Sequence, residues 1–255
     1  MHGLFGRKDL QENLLLNGFK ECDKMTKKEI EYHSEFYNVV NETEQWIRLS
    51  DGCHHNCWNC YCPTHKLSYE IPEITRNKVV FLDMNFLFAF STPNLALHKL
   101  AGERINGKKV YYDFYCGLDF TLLTPELCYR LFKANVGRFN SKRKFIKGVR
   151  IAWDRSFAEQ KIIKNAISML VKAGYNPRNI QVFMLCDGKI SYDECCKKLD
   201  LMKIWNVQIA DCWYDSAVPP NYQCNYWTLE QSKDFRKKCR KHNQMILYRI
   251  DPEYK

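Results

Sequence analysis

Along this chain, short apolar runs rich in β-branched and aromatic residues return at intervals of about 30 residues, with helical patterns between them. No other feature restricts the fold so much. A strand, a helix and a second strand imply parallel pairing, because the helix carries the chain back to the starting edge of the sheet. The predicted strands are Gln45 to Leu49, Lys78 to Leu82, Lys109 to Tyr115, Gly148 to Trp153, Ile180 to Leu185 and Val207 to Ala210. Six such units predict an α/β fold, an incomplete (β/α)6 TIM-like barrel with parallel strands, whose functional groups gather at the C-terminal strand ends.

The helices between them have readable starts. Thr124 precedes Pro125 at a first helical position, Ser156 has Glu159 three residues on, and Ser191 has Glu194, the last two as capping-box patterns. From Phe157 to Ala173, the residues Ile163, Ile167, Leu170 and Val171 share one face, and Gly174 with Pro177 beyond ends the helix. Residues 1–43, with helical spacing from Lys27 to Tyr37, read as a helical N-terminal extension. Residues 44–212 read as the barrel core, and 213–255 as a C-terminal lid whose helix is capped by Thr228 with Gln231. Both extensions are expected to cover open sheet edges of one compact domain.

A length of 255 residues, 45% of them apolar, with 11 Gly and 8 Pro, suffices for one substantial core. Mean hydropathy is −0.48, and the most apolar stretch, Val79 to Phe90, is broken by Asp83 and Asn85, so no window spans a bilayer. The opening MHGLFGRKDLQENLLL is interrupted by Asp9, Glu12 and Asn13, which argues against a secretory signal and for a cytoplasmic chain. Lys plus Arg number 39 against 29 Asp plus Glu, and the net charge of +10 favours anionic partners such as nucleic acid or nucleotides. Thirteen cysteines without an export signal read as thiols and metal ligands rather than a disulfide framework.

Directly after the first predicted strand the sequence reads SDGCHHNCWNCYCPT, which sets Cys53, Cys57 and Cys60 in a C-x3-C-x2-C arrangement on a loop. Three thiolates on so short a loop can bind three irons of a [4Fe–4S] cube and leave the fourth iron open. A zinc site is the alternative, since Cys62, His54 and His55 add to the possible ligands, although the cluster has no separated second half. Cys62 also reads as a bystander held by the turn at Pro63.

This spacing, at the end of the first strand of a βα repeat, resembles the radical S-adenosylmethionine superfamily over about residues 44 to 212. The resemblance implies a [4Fe–4S] cluster on Cys53, Cys57 and Cys60. It further implies S-adenosylmethionine on the open iron through its amino and carboxylate groups, an electron donor such as a flavodoxin or ferredoxin, and oxygen sensitivity. An aromatic residue commonly precedes the third cysteine and contacts adenine; here Asn59 stands there, with Trp58 and Tyr61 beside it, and Tyr61 is the aromatic candidate.

The other strand ends carry polar residues. After the second strand come Asp83 and Asn85, where the resemblance implies contacts to the aminoacyl part of S-adenosylmethionine; a helix N-cap or turn is the alternative. The third strand ends in a strand-to-loop corner, Asp113 to Asp119: Gly117 allows close backbone approach to a cofactor, and Cys116, expected at the cavity mouth, and Asp119 are the candidate catalytic groups. In the fourth, alternation puts Arg150, Ala152 and Asp154 on one side, and inward charges need a ligand or each other. The resemblance gives Asp154 the ribose and Arg150 the cofactor carboxylate; an internal Arg150–Asp154 ion pair is the alternative. Cys186-Asp187-Gly188 and Asp211 to Asp215 close the fifth and sixth strands, and Cys186 and Cys212 there also read as ordinary small core residues.

The tail places Tyr222, Tyr226 and Trp227 before Lys233, Arg236, Lys237, Lys238, Arg240 and Lys241, and a second basic group comprises Lys142, Arg143, Lys144 and Lys147. Aromatics interleaved with bases suit nucleic acid, and a solvated helix face is the alternative. The leading expectation is therefore an enzyme that cleaves S-adenosylmethionine reductively to a 5′-deoxyadenosyl radical, which abstracts hydrogen from a substrate such as a nucleic acid or nucleotide. The other is a zinc-stabilised nucleic-acid-binding protein without catalytic activity. Cys212, Cys224 and Cys239 are too scattered for a second cluster.

Overall fold

The computed structural model describes residues 37–57, 60, 62, 64, 66–90, 92–186, 189–213 and 227–248. The first strand, β1 (Tyr37–Val40), runs antiparallel to β2 (Gln45–Arg48). Asn41 Oδ1 closes the turn between them by accepting the Thr43 and Glu44 amides at 2.9 and 2.7 Å. Beyond β2, the short β3 (Ser50–Asp51) pairs antiparallel with β4 (Leu67–Ser68), and β5 (Lys78–Phe81) returns parallel to β2 with Ile47 opposite Phe81. Next come α1 (Phe86–Ala89), α2 (Pro93–Gly102) and the hairpin of β6 (Arg104–Ile105) and β7 (Lys108–Lys109), leading to β8 (Tyr111–Phe114), parallel to β5.

The chain continues through α3 (Pro125–Lys133) to β9 (Val136–Phe139), parallel to β8, and folds back antiparallel as β10 (Phe145–Ile146). The last part alternates β11 (Arg150–Ala152), α4 (Gln160–Lys172), β12 (Gln181–Cys186), α5 (Tyr192–Trp205) and β13 (Gln208–Trp213), all three strands parallel. The final helix is α6 (Leu229–Tyr248).

Two sheets result, β1-β2-β5-β8-β9-β10 and β11-β12-β13, so the fold is mixed α/β with parallel strands at its centre. A parallel bridge joins them, Leu118 to Ile151, with the Leu118 amide 2.8 Å from the Arg150 carbonyl. Among the described residues the strands do not close on themselves. No described helix is long and apolar enough to cross a membrane.

All six predicted strands are present, with shifted ends. The third begins at Tyr111, because Lys108 and Lys109 belong to a hairpin of their own. A seventh parallel strand, β9, escaped the sequence reading: it is short and contains Gly137 and Arg138, an uncommon strand composition. Gly137 is required there, since a Cβ would stand 2.4 Å from the Ile146 carbonyl of the returning strand. Tyr37, predicted to end a helix, lies instead in β1, and the remainder of that predicted helix falls outside the described residues.

The core explains the patterns. On α4 the residues Ile163, Ala166, Ile167 and Leu170 are buried, each large one contributing about 1.5–3 kcal/mol. Val171 lies on the outer side, 39% exposed, so the stripe runs through Ala166 instead. Thr124, Ser191 and Thr228 cap their helices as predicted, and Thr228 with Gln231 forms the full reciprocal box at 3.1 and 2.8 Å. Ser156 caps only the 3-10 turn Phe157–Glu159, while Glu159 pairs with Arg155 at 2.8 Å.

Candidate functional site

The cysteine loop hangs from the C-terminal end of β2. Its neck is the β3–β4 ladder, Ser50 opposite Ser68 and Asp51 opposite Leu67. Asp83, just past β5, fixes the near side by accepting the Leu49 amide at 3.1 Å and the Ser50 hydroxyl at 2.5 Å. Inside the loop, Gly52 (φ 112°) and Asn56 (φ 45°) adopt positive φ, Asn being among the few side chains that tolerate it, and the Cys60 amide turns back to the Cys57 carbonyl at 3.0 Å. A tethered neck and two such turns gather side chains that a relaxed loop would spread.

Burial pushes the Cys57 thiol up to about 11, and the neighbouring thiols of Cys60 and Cys53 add to the shift, so both stand within electrostatic reach of Cys57. Arg155 and Asp154 act on the same thiol, which puts the segment after β11 beside it. Cys62 stays beside Cys60: its amide donates to Cys60 Sγ at 3.4 Å, its thiol also hydrogen-bonds the Cys60 side chain, and its sulfur lies 4.0 Å from Asp51 Oδ1. Trp58, Asn59, Tyr61 and Pro63 lie outside the described residues.

Asn85 joins three parts of the site. Its Oδ1 caps α1 through the Phe88 amide, as the N-cap reading expects, and its Nδ2 donates to Cys53 Sγ at 3.3 Å and to Asp119 Oδ2 at 2.9 Å. The same Asp119 oxygen lies 2.6 Å from His55 Nε2 and 3.9 Å from His54 Nε2, and its partner oxygen accepts from the Thr121 amide and hydroxyl. Burial works against this carboxylate, but Thr121, Asn85 and His55 outweigh it and hold Asp119 below the usual range. The His54 ring lies tilted against His55, 3.9 Å between centroids, and against Phe88 at 4.7 Å; burial and then His55 lower its pKa. Ligand atoms of Cys53, His54 and His55 all lie within 4.8 Å of one another, an arrangement able to hold a single metal ion.

Two carboxylates are held at a cost. Burial raises Asp83 and Asp154 to about 6 each, and Asp83 Oδ2 and Asp154 Oδ1 are sealed from solvent with no hydrogen-bond partner among the described residues. Such orphaned oxygens are what a bound ammonium or hydroxyl would satisfy.

The remaining predicted residues are placed differently. Cys116, expected at the mouth, directs its sulfur to the Leu82 carbonyl at 3.7 Å, and burial pushes its thiol up to about 12. Gly117 (φ +86°) has Phe183 where a side chain would begin, 3.3 Å from the Cβ position, so close approach there serves a core ring. Arg150 ion-pairs with Asp113 of β8, not with Asp154, and Asp113 Oδ2 also accepts the Phe139 amide at 2.9 Å. Sequence reading overlooked Asp113, although a lone carboxylate inside the apolar run YYDFY was the available signal. Cys186 and Cys212 donate to carbonyls two residues back, at 3.4 and 3.6 Å, as small core residues do. Asp187, Gly188, Tyr214 and Asp215 lie outside the described residues.

Of the tail aromatics, Trp227 is buried with its Nε1 on the Ile190 carbonyl at 2.6 Å, and Tyr222, Tyr226 and Cys224 lie outside the described residues. Arg236 covers the Trp213 ring at 4.3 Å, and Lys238 is tied to Asp234 and to the Tyr192 hydroxyl, each at 2.8 Å. Lys233, Lys237, Arg240 and Lys241 stand exposed on the same helix. In the second basic group, Arg143 pairs with Glu44 and Lys147 donates to the Phe132 carbonyl at 2.5 Å. Compared with known proteins, the chain matches no family model and no curated protein.

Proposed function

We propose that this chain is a radical S-adenosylmethionine enzyme whose Cys53, Cys57 and Cys60 hold a [4Fe–4S] cluster, with the parallel strands of the two sheets as parts of an incomplete barrel around the site. The observation that carries this reading is the gathering of three thiols on one tethered loop at the end of β2, with Asn85 and Asp119, from the ends of β5 and β8, reaching that same loop. The donor set fits such a cluster: soft thiolates, an amide N–H aimed at one sulfur, and orphaned carboxylate oxygens on Asp83 and Asp154 for the cofactor's polar groups.

When bound, the cluster and S-adenosylmethionine supply one-electron reductive cleavage to methionine and a 5′-deoxyadenosyl radical that takes hydrogen from substrate, the electron coming from a donor such as a flavodoxin or ferredoxin. The protein's own part is orientation. Asp83 and Asn85 hold the loop and would take the aminoacyl group, Asp154 would take the ribose, and Asp119 holds His55 and Asn85 in place. Exposed Lys233, Lys237, Arg240 and Lys241 favour an anionic substrate, a nucleic acid or nucleotide.

A second reading rests on the proximity of Cys53, His54 and His55, a donor set that suits zinc in a nucleic-acid-binding protein without turnover. Anaerobic reconstitution with iron and sulfide separates the two. A brown protein that forms 5′-deoxyadenosine from S-adenosylmethionine under reduction supports the enzyme, and a colourless protein with one tightly held zinc supports the alternative.

A further inference from the structure

Lys198 is fully buried in α5, an unusual place for a lysine unless something uses its charge. Its Nζ donates to the carbonyls of Trp153 and Arg155, the two residues that flank Asp154, and lies 3.5 Å from Glu194 Oε1. That Glu194 oxygen also accepts the Phe157 amide at 2.9 Å, so one ion pair, buried at its lysine end and half-buried at Glu194, fastens the whole segment from Trp153 to Phe157 to α5. The ammonium also lies over the ring of Trp153, 5.1 Å from its centroid; that ring stacks on Phe157 and on Trp205, and its Nε1 donates to the Ser156 carbonyl at 3.1 Å. At the centre of this fastened segment, Asp154 presents the orphaned oxygen, and Arg155 and Asp154 both act on the Cys57 thiol.

We propose that Lys198 is a positioning residue: its ammonium clamps the carbonyls on either side of Asp154 and so fixes that carboxylate at the cysteine loop, ready for a hydroxyl of the bound nucleoside. The ligand in this statement rests on the function proposed above; the clamp itself does not. An unpaired carbonyl in a buried segment is costly, so without the ammonium the segment would turn those carbonyls elsewhere and carry Asp154 with them.

The test compares full-length wild-type, Lys198→Gln and Lys198→Arg proteins after anaerobic reconstitution, by iron content, amide exchange over residues 153–159, and calorimetric binding of S-adenosylmethionine. All three are expected to hold equal iron. Lys198→Gln should exchange faster over 153–159 and bind S-adenosylmethionine at least tenfold more weakly, and Lys198→Arg, able to donate to the same carbonyls, should recover most of both. Wild-type exchange and affinity in Lys198→Gln would overturn the clamp. Wild-type protein that holds iron yet binds no S-adenosylmethionine overturns the functional reading instead, and the exchange comparison still decides the clamp. If Lys198→Gln does not fold, Glu194→Gln loosens the same ion pair from its more exposed end and is judged by the same outcomes.

Discussion

Arg150 and Asp113 form a buried ion pair across the junction of the two sheets. Because Asp113 also accepts the Phe139 amide, one carboxylate ties together β8, β9 and β11. Burial pushes Asp113 up and Arg150 works against that shift. Removing either charge strands the other, a loss of about 3–5 kcal/mol, so Asp113→Asn should lower the urea midpoint sharply. A loss under about 1 kcal/mol would show that the junction does not depend on this pair.

Cys53→Ala, Cys57→Ala and Cys60→Ala should each abolish bound iron, since two thiolates hold a cube poorly. Cys62→Ala should keep it, because Cys62 lies outside the C-x3-C-x2-C set and its sulfur is engaged by the Cys60 side chain and by Asp51 within the loop. Iron and sulfide analysis of the four variants decides; loss in Cys62→Ala with retention in Cys53→Ala would reverse the ligand assignment.

Asp83 makes stability depend on pH. Below about pH 4 it is neutral in both folded and unfolded chains. Between there and about 6 the unfolded chain ionises while burial keeps the folded carboxyl protonated, so its contribution to stability falls as pH rises through that window and is level above it. Asp83→Asn removes the fall and should gain on the wild type by up to ~2–3 kcal/mol between pH 4 and 7. Denaturant titrations at several pH values that ran parallel for the two proteins would contradict this.

The basic helix yields a salt test. Reversing Lys233, Lys237, Arg240 and Lys241 to Glu leaves the Arg236–Trp213 and Lys238–Asp234 contacts intact. Binding of single-stranded RNA should weaken in the reversed protein, and its logarithmic salt slope should flatten by about 0.7 for each phosphate that the helix no longer neutralises. An unchanged slope would leave α6 a solvated face.

The βα cadence was legible because a buried parallel strand must be apolar along its whole length, as Val79 to Phe81 and Val182 to Cys186 are. β9 was hidden because its stability comes from neighbours, Asp113 on its Phe139 amide and Gln208 on Arg138 at 2.8 Å, rather than from its own residues. The cysteine spacing named its loop at once, since ligand geometry is local. The alternative of an Arg150–Asp154 ion pair failed for the opposite reason: alternation tells which side a residue faces, and only the folded sheet order tells that Arg150 meets Asp113 of β8. Lys198 left no trace in the sequence, where it is one more lysine on a helix.

The outer edge of β13 is finished by a side chain. Asn243 of α6 accepts the Ile209 amide at 2.9 Å and donates to the Ile209 carbonyl at 2.7 Å, the two bonds that another strand would make there, and His242 meets the Val207 carbonyl at 2.8 Å. An edge answered in this way offers little template for strand exchange between molecules. The last helix is then as much a guard against self-association as a cover for the core, and a chain cut before Thr228 should be recovered in aggregates even where its βα units are intact.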